Sequence, residues 1–271
     1  MWAYLCGAVS VGASAQGQWG LILLGVLLAG PVVCGMSQAA NDWCDRHVDA
    51  INEPDRPIPS GRIPGRWGLW IALAMSVLSL IIGWQLGPWG FGATVLGVLA
   101  AWAYSVEPIR LKRSGIWGPG LVGLSYETLP WVTGAAVVAA GAPGIEVIIV
   151  AVLYGLGAHG LMTINDFKAL EGDRQMGVNS LPVMLGPEKA ARVACIVMTV
   201  PQLGVIALLL GWGKPFLAAI VAALLLVQFW AMRVWLTDPK GKAPWFNGTG
   251  IGPYILGMLA AAFALRSMGG L

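Results

Sequence analysis

Apolar runs separated by short polar connections make up most of this chain. Eight of these runs approach the length of about 20 residues that crosses a bilayer as a helix. A ninth run, residues 2–13, is too short to span, so we interpret it as the second half of a helix that begins upstream of Met1. The pattern predicts an all-α integral membrane protein with nine transmembrane helices, the first one incomplete. The eight complete spans are predicted at 19–40, 67–86, 89–105, 117–139, 145–164, 190–211, 214–236 and 249–266.

The composition supports a membrane location. Apolar residues account for 57% of the chain and charged residues for only 11%, whereas soluble proteins carry about 25% charged residues. The 14 Trp and 38 Gly are typical of membrane proteins, in which aromatic residues collect at the interfaces and Gly is frequent in helices. This excludes an ordinary cytosolic enzyme. A net charge of +3 without a basic tract gives no support for nucleic-acid binding.

The basic residues are distributed unevenly between the two ends of the predicted helices. All Lys and Arg residues except Lys214 and Arg266 lie in connections on one side of the predicted membrane. Because connections rich in Lys and Arg usually face the cytoplasm, we predict that this side is cytoplasmic. The connections concerned are 41–66, 106–114, 165–192 and 233–242.

A weak internal repeat divides the single predicted domain, residues 1–271, into halves of about 1–140 and 141–271. The dipeptide Asn-Asp occurs only at 41–42 and 165–166, each time after an apolar run and on the same predicted face. Further acids, an Arg and a Pro/Gly/Ser turn follow it in both places. The repeat predicts two acidic helix ends that face each other; the alternative is a chance recurrence.

Both acidic clusters have spacings that favour metal binding. A spacing of four residues places Asn41, Asp45 and Asp49 on one helical face, with Asp42 beside them. Asp166 and Asp173, seven residues apart, also share a face if their helix continues. Like charges at these spacings repel unless cations bind, and oxygen ligands suit Mg²⁺ better than zinc or iron. The sequence therefore predicts a Mg²⁺ site, with solvated charges that only set topology as the alternative.

Basic side chains near these clusters predict that the metal holds a diphosphate. Mg²⁺ in proteins usually shares its coordination sphere with substrate phosphates, and Arg and Lys bind the same groups. A diphosphate at the mouth of an apolar bundle implies that a lipid-like tail runs inward. An allylic C–O bond of such a substrate can ionise once the negative charge of the leaving diphosphate is neutralised. The candidate diphosphate ligands are Arg46, Arg56, Arg110, Lys112, Lys168 and Arg174.

Aromatic side chains near the same helix ends are candidates to line the cavity, because aromatic faces stabilise cations. Tyr104 and Tyr126 are the candidate substrate-binding residues, together with Trp102 and Trp131. Anchoring at the lipid interface is the alternative role for each of these rings.

Two isolated ionisable residues are further candidates for substrate binding. His159 lies seven residues before Asp166 and is predicted to face the same cavity, where it could bind an acceptor; the alternative is a core histidine bonded to a carbonyl. Glu127 is the only acid within the span 117–139. Its place between Pro119 and Pro130 suggests a broken helix that lines the cavity. Since an ionisable group inside a bilayer is costly, such residues are by default functional candidates. Packing near the interface is the alternative for Glu127.

Three long segments resemble the UbiA superfamily of intramembrane prenyltransferases. NDWCDRHVDAINEPDRPIPSGRI (41–63) resembles the first aspartate motif, YSVEPIRLKRSG (104–115) the central loop, and NDFKALEGDRQMGVNSLPVMLG (165–186) the second motif. The segments DWCD, EPDRPIPSG and YETLPW most resemble the branch that esterifies (bacterio)chlorophyllides. The resemblance implies a nine-helix bundle that transfers a geranylgeranyl or phytyl group from its diphosphate to the propionate of a bacteriochlorophyllide, with Mg²⁺ as cofactor.

The same resemblance implies roles for residues and a location. Many superfamily members have Asp at the position of Ala169, so Glu171 is a candidate substitute. The implied location is a bacterial inner membrane, near other pigment-assembly proteins. The alternatives are a chlorophyllide acceptor, a UbiA-type enzyme for a quinone precursor, and an ion transporter. The implied metal and diphosphate ligands are Asn41, Asp42, Asp45, Asp49, Asp166 and Asp173, with Arg56, Arg110, Lys112 and Arg174.

Overall fold

The computed structural model describes residues 1–12 and 17–269, which are helical almost throughout. Two π-helical segments, Leu28–Val32 and Leu124–Thr128, join α2 to α3 and α6 to α7 without a break. The helices of the first half are α1 (Trp2–Ser10), α2 (Trp19–Leu27), α3 (Val33–Asn52), α4 (Trp67–Gln85), α5 (Gly87–Ser105), α6 (Trp117–Gly123) and α7 (Leu129–Ala139). Those of the second half are α8 (Ile145–Gln175), α9 (Leu181–Leu185), α10 (Pro187–Gly211), α11 (Pro215–Trp235), α12 (Ala243–Thr249) and α13 (Ile251–Arg266).

The helical class of the fold is confirmed. Six helical stretches of the described chain are long and apolar enough to cross a membrane. The predicted spans 89–105 and 117–139 are helical as well, although they are not among those six. The prediction of a short first helix agrees with α1, which has 9 residues. The six stretches are Trp19–Ala50, Trp67–Gln85, Ile145–Gln175, Pro187–Gly211, Pro215–Trp235 and Ala243–Arg266.

The two helices that carry the acidic motifs extend beyond their predicted ends. The predicted span 19–40 continues as helix to Asn52, and the span 145–164 continues to Gln175. Hydropathy alone misses these extensions, because the helix continues from the apolar run into the polar motif. The acidic first part of each motif therefore lies on a helix and not in a loop, so residues there that are spaced by three, four or seven share a face.

The segment around Glu127 corrects one expectation. Pro119 and Pro130 suggested a broken helix, but the chain there is a continuous helix with one π-helical segment, Leu124–Thr128. Pro130 has no N–H to donate to the preceding turn, and the π-helical segment lies directly before α7, in which Pro130 is the second residue. Single π-helical turns inside α-helices are frequent at functional sites, and Glu127 lies in this one.

Small residues allow α8 to pack closely against its neighbours. A Cβ atom added at Gly160 would lie 2.5 Å from the carbonyl oxygen of Ala194 in α10. One added at Gly155 would collide with the Thr128 side chain. Close backbone approach through small residues is typical of membrane helix packing. Helix α8 is therefore held in the middle of the bundle, with the second acidic motif at its end.

Candidate active site

A cavity of about 670 Å³ lies between the two helices that carry the motifs. Asn41 of α3 and Asn165 of α8 both line it, whereas the carboxylates of the two motifs are not among the described residues that line it. Gln38 lines the same polar end and donates from Nε2 to Asp42 Oδ1 at 2.7 Å. Gln38 was not among the predicted site residues, although its position one helical turn before Asp42 was a usable signal.

The carboxylates of the first motif are bound by an arginine from the following loop. Asp49 is buried, and its Oδ2 accepts a hydrogen bond from Arg56 Nη1 at 3.0 Å. The same nitrogen lies 3.2 Å from Asp42 Oδ1, and Arg56 also pairs with Glu53. The mutual repulsion of these acids is therefore offset by a cation of the protein itself.

The central loop supplies two more cations to the first motif. Arg110 Nη2 lies 3.0 Å from Asp45 Oδ1, and Lys112 contacts the other oxygen of the same carboxylate. Arg110 has a left-handed backbone (φ 35) directly before a single 3₁₀ turn, Leu111–Arg113, which brings Lys112 close to α3. Burial lowers the pKa of Lys112 to about 8 because the ammonium group has lost much of its water, while Cys44 and Asp173 act in the opposite direction.

The acids of the second motif lie in a different electrostatic environment from those of the first. Within the described chain, no Lys or Arg side chain forms an ion pair with Asp166 or Asp173. The loop that follows α8 is joined to the central loop by two backbone hydrogen bonds, Gly115 N–H to Asn179 O (2.8 Å) and Asn179 N–H to Arg113 O (3.0 Å). These bonds hold both loops together at the cytoplasmic end predicted from the charge pattern.

The remaining predicted diphosphate ligands lie apart from the acids. Arg46 stacks on Trp43, with its guanidinium carbon 4.1 Å from the ring centre, and donates to the Trp43 carbonyl oxygen at 2.8 Å. Lys168 and Arg174 are exposed on α8. Arg56, Arg110 and Lys112 are the predicted cations that the structure brings to the carboxylates.

The deeper cavity wall contains three of the six candidate substrate-binding residues. Tyr104, Tyr126 and Glu127 line the cavity, and the Tyr126 hydroxyl lies 3.2 Å from Cys34 Sγ. His159 does not line it; the ring Nε2 lies 3.0 Å from the carbonyl oxygen of Ile116.

The two predicted tryptophans do not reach this wall. Trp131 is buried against Tyr154, with its indole N–H donated to Ser10 Oγ at 3.0 Å, and Trp102 donates to Ser76 Oγ at 3.1 Å. The aromatic surface that the cavity offers to a ligand therefore comes from Tyr4, Tyr104, Tyr126 and Trp2, and not from Trp102 or Trp131.

The donor chemistry fits Mg²⁺, but the acids are not gathered around one point. Asn and Asp oxygens are the ligands that Mg²⁺ prefers. Among the described residues, however, no three Asp, Glu, His or Cys side chains lie close enough together to hold a metal ion. The carboxylates of the first motif form ion pairs with Arg56, Arg110 and Lys112 instead. A metal ion can bind these carboxylates only if the three cations move to other partners.

The family model for the UbiA prenyltransferase family matches residues 1–265. The chain belongs to this family, which confirms the resemblance seen in the three motifs. Solved structures agree in fold: a UbiA homolog from Archaeoglobus fulgidus, bound to DMAPP and Mg²⁺, has a TM-score of 0.68 at 19% identity, and the match covers 98% of this chain and 96% of that one.

Curated relatives place the chain within the family. It is 71% identical to the bacteriochlorophyll synthase 33 kDa chain of Cereibacter sphaeroides, over 99% of this chain and 89% of the relative. Identity to the bacteriochlorophyll synthase 34 kDa chain of Chloroflexus aurantiacus is 44%, over 98% and 86%. Identity to the chloroplast chlorophyll synthase of Arabidopsis thaliana is 33%, over 97% and 70%. The sequence motifs that suggested the pigment-esterifying branch agree with these relatives.

Proposed function

We propose that this chain esterifies the propionate of bacteriochlorophyllide a with a geranylgeranyl or phytyl group from the corresponding diphosphate, which leaves as diphosphate. The observation that carries this proposal is the 71% identity to a bacteriochlorophyll synthase over nearly the whole chain. Because identity to a chlorophyll synthase is only 33%, bacteriochlorophyllide is the favoured acceptor over chlorophyllide.

The chemistry of the site supports a carboxylate acceptor. A propionate has a pKa of about 4–5 by analogy with Asp and Glu, so it is already a nucleophile at neutral pH. His159, the histidine nearest to the second motif along the chain, is engaged with a backbone carbonyl and does not line the cavity. A phenolic acceptor would benefit from a base to remove its proton, whereas a propionate needs none.

We propose that Mg²⁺ binds at Asn41, Asp42, Asp45, Asp49, Asp166 and Asp173. When bound there, it would neutralise the charge of the leaving diphosphate. Arg56, Arg110 and Lys112 would then exchange their carboxylate partners for phosphate oxygens, which they bind equally well. The apolar cavity wall below Asn41 and Asn165 would hold the prenyl tail and exclude water from the allylic cation, with Tyr104 and Tyr126 presenting their rings to it.

The chain is a multi-pass membrane protein. We propose that it lies in the inner membrane of a bacterium, with the motif-bearing ends of α3 and α8 on the cytoplasmic side. The distribution of Lys and Arg along the sequence supports this orientation. A water-soluble diphosphate head group could then reach the site directly from the cytoplasm.

A membrane assay with bacteriochlorophyllide a, geranylgeranyl diphosphate and Mg²⁺ tests the proposal. We expect esterified pigment from the wild type, none after addition of EDTA, and at least about 100-fold less with the variant Asp45→Asn. Asp238→Asn is a matched control, because Asp238 lies in the loop between α11 and α12 and contacts Gly241 of the same loop.

Each alternative gives a different result in the same assay. Turnover with chlorophyllide or a phenolic acceptor, but none with bacteriochlorophyllide, would keep the prenyl transfer and overturn the acceptor. Ion flux in proteoliposomes without transfer to any acceptor would overturn the enzyme. Phytyl diphosphate in parallel reactions identifies the preferred tail.

A further inference from the structure

Glu127 differs from every other side chain that lines the cavity. No other Asp, Glu, Lys, Arg or His side chain lines it in the described part of the chain. The α-amino group of Met1, at the same end, is the only cationic group near the Glu127 carboxylate. A carboxylate in such a position needs a partner, because burying an unpaired charge away from water is costly.

Two contacts fix how deep Glu127 lies below the motifs. Tyr126 touches Cys34, which precedes Asn41 by seven residues, or about 10 Å at 1.5 Å per helical residue. Directly after Glu127, the Thr128 hydroxyl donates to the carbonyl oxygen of Ala151 in α8 at 2.9 Å. Ala151 precedes Asn165 by 14 residues, or about 21 Å. Glu127 therefore lies between about 10 and 21 Å below the polar end of the cavity.

This depth suits the body of the acceptor and not its reacting carboxylate. The propionate must reach the diphosphate end near Asn41 and Asn165, so we place the macrocycle further in, beside the prenyl tail in the same cavity. The ring nitrogens of a bacteriochlorophyllide hold the central Mg²⁺ in a plane and leave an axial position open. Mg²⁺ prefers an oxygen ligand there, and the Glu127 carboxylate gains a metal cation as a direct partner.

We propose that the Glu127 carboxylate is the axial ligand of the central Mg²⁺ of the bacteriochlorophyllide, and so selects a metallated acceptor. This inference rests on the proposed function. The π-helical segment Leu124–Thr128 presents Glu127 and Tyr126 to the cavity, while Thr128 anchors the segment to α8. Glu127 thereby orients the macrocycle so that its propionate points towards the motifs.

Pigment binding to the purified full-length protein in detergent tests this role. Bacteriochlorophyllide a is titrated in parallel with its metal-free counterpart, bacteriopheophorbide a. We expect Glu127→Gln to weaken binding of the Mg²⁺ pigment about tenfold or more, as loss of a group that supports a metal does elsewhere, and to leave binding of the metal-free pigment within about twofold. The absorption band that responds to axial ligation should shift in the variant and return in Glu127→His, which restores a ligand atom.

Two controls separate the possible outcomes. Glu146→Gln removes an acid from the first turn of α8, outside the cavity, and should change neither affinity. Binding of geranylgeranyl diphosphate should be retained by Glu127→Gln, which shows that the variant is folded. Equal loss of both pigments, or loss of neither, would overturn the axial-ligand role. Failure of the wild type to bind either pigment would instead overturn the proposed function.

Discussion

The two acidic motifs begin with the same Asn-Asp dipeptide, but their carboxylates have different neighbours. Asp42, Asp45 and Asp49 of α3 are paired with Arg56, Arg110 and Lys112. The acids of α8, within the described chain, form no ion pair. The carboxylates of the first motif are therefore balanced by cations of the protein before any ligand arrives, whereas no such cation among the described residues is paired with the second motif. A divalent cation displaces no ion pair at the second motif, which favours this motif as the place where a free divalent cation binds first.

The helices that carry the motifs also differ in how firmly they are held. In the apolar window of α8, 61% of the residues are buried, against 33% for the helix that includes α3. An added Cβ at Gly160 of α8 would meet backbone, but one at Gly35 of α3 would meet the flexible end of the Met75 side chain. Helix α8, whose acids form no ion pair in the described chain, is therefore packed more closely than the helix that includes α3, whose acids form the exchangeable ion pairs.

The largest expected effect comes from removing one acid from each motif. Asp45→Asn and Asp166→Asn should each reduce kcat/KM by about 10²–10³-fold, as loss of one group that stabilises transition-state charge does elsewhere. Binding of Mn²⁺, measured by electron paramagnetic resonance without diphosphate, separates the two. Asp166→Asn should lose this binding, while Asp45→Asn should retain it. Equal loss in both variants would remove the distinction between the motifs.

A smaller effect, of opposite sign for two ligands, is expected at Arg56. Arg56→Gln releases the Asp42 and Asp49 carboxylates, so free Mn²⁺ should bind more tightly. Geranylgeranyl diphosphate, in the presence of Mg²⁺, should bind about 10-fold more weakly, because one charged hydrogen-bond donor to the phosphates is lost. Arg62→Gln is the matched control, since Arg62 lies in the same loop and donates to Ser60 and to a backbone carbonyl. Weaker binding of both ligands would contradict the proposed partner exchange.

Much of this arrangement follows from local sequence patterns. The period of four in Asn41, Asp45 and Asp49 predicted a shared face because helix geometry depends only on nearby residues. Hydropathy located the helices for the same reason, and misplaced the ends of α3 and α8 where polar residues continue a helix. The prediction that two acidic helix ends face each other agrees in part: Asn41 and Asn165 line one cavity, but the carboxylates of the two motifs do not line it.

Other features depend on contacts between distant segments and have no local signature. The sequence placed Arg56, Arg110 and Lys112 near the acids, but their pairing requires the fold of two loops. The contact of His159 with Ile116 depends on the packing of α6 against α8. The π-helical segment at Glu127 arises where one extra residue is accommodated between α6 and α7.

A stability difference tests the rigidity of the two helices. Gly160→Ala should lower the free energy of unfolding by about 1–3 kcal/mol, because the backbone of α10 must move to admit the methyl group. Gly35→Ala should be close to neutral. The Met75 side chain can move, and Ala is favoured over Gly in a helix by about 1 kcal/mol. Thermal unfolding in detergent, followed by circular dichroism, measures both variants. Similar destabilisation in the two would show that α3 is as tightly packed as α8.

The smallest effect is expected at Arg46, which tests whether proximity in sequence is enough to make a diphosphate ligand. Its guanidinium stacks on Trp43 and bonds the backbone of the same turn, so it is already satisfied without a phosphate. Arg46→Gln should therefore change the affinity for geranylgeranyl diphosphate by less than about twofold. The stacking of a cation near the surface contributes only about 0.5–1 kcal/mol, and here it stabilises the helix and not the bound ligand. Isothermal titration of Arg46→Gln beside Arg56→Gln provides the measurement. A loss as large as that of Arg56→Gln would mean that Arg46 leaves Trp43 when diphosphate binds, and that the first motif rearranges more than its ion pairs alone require.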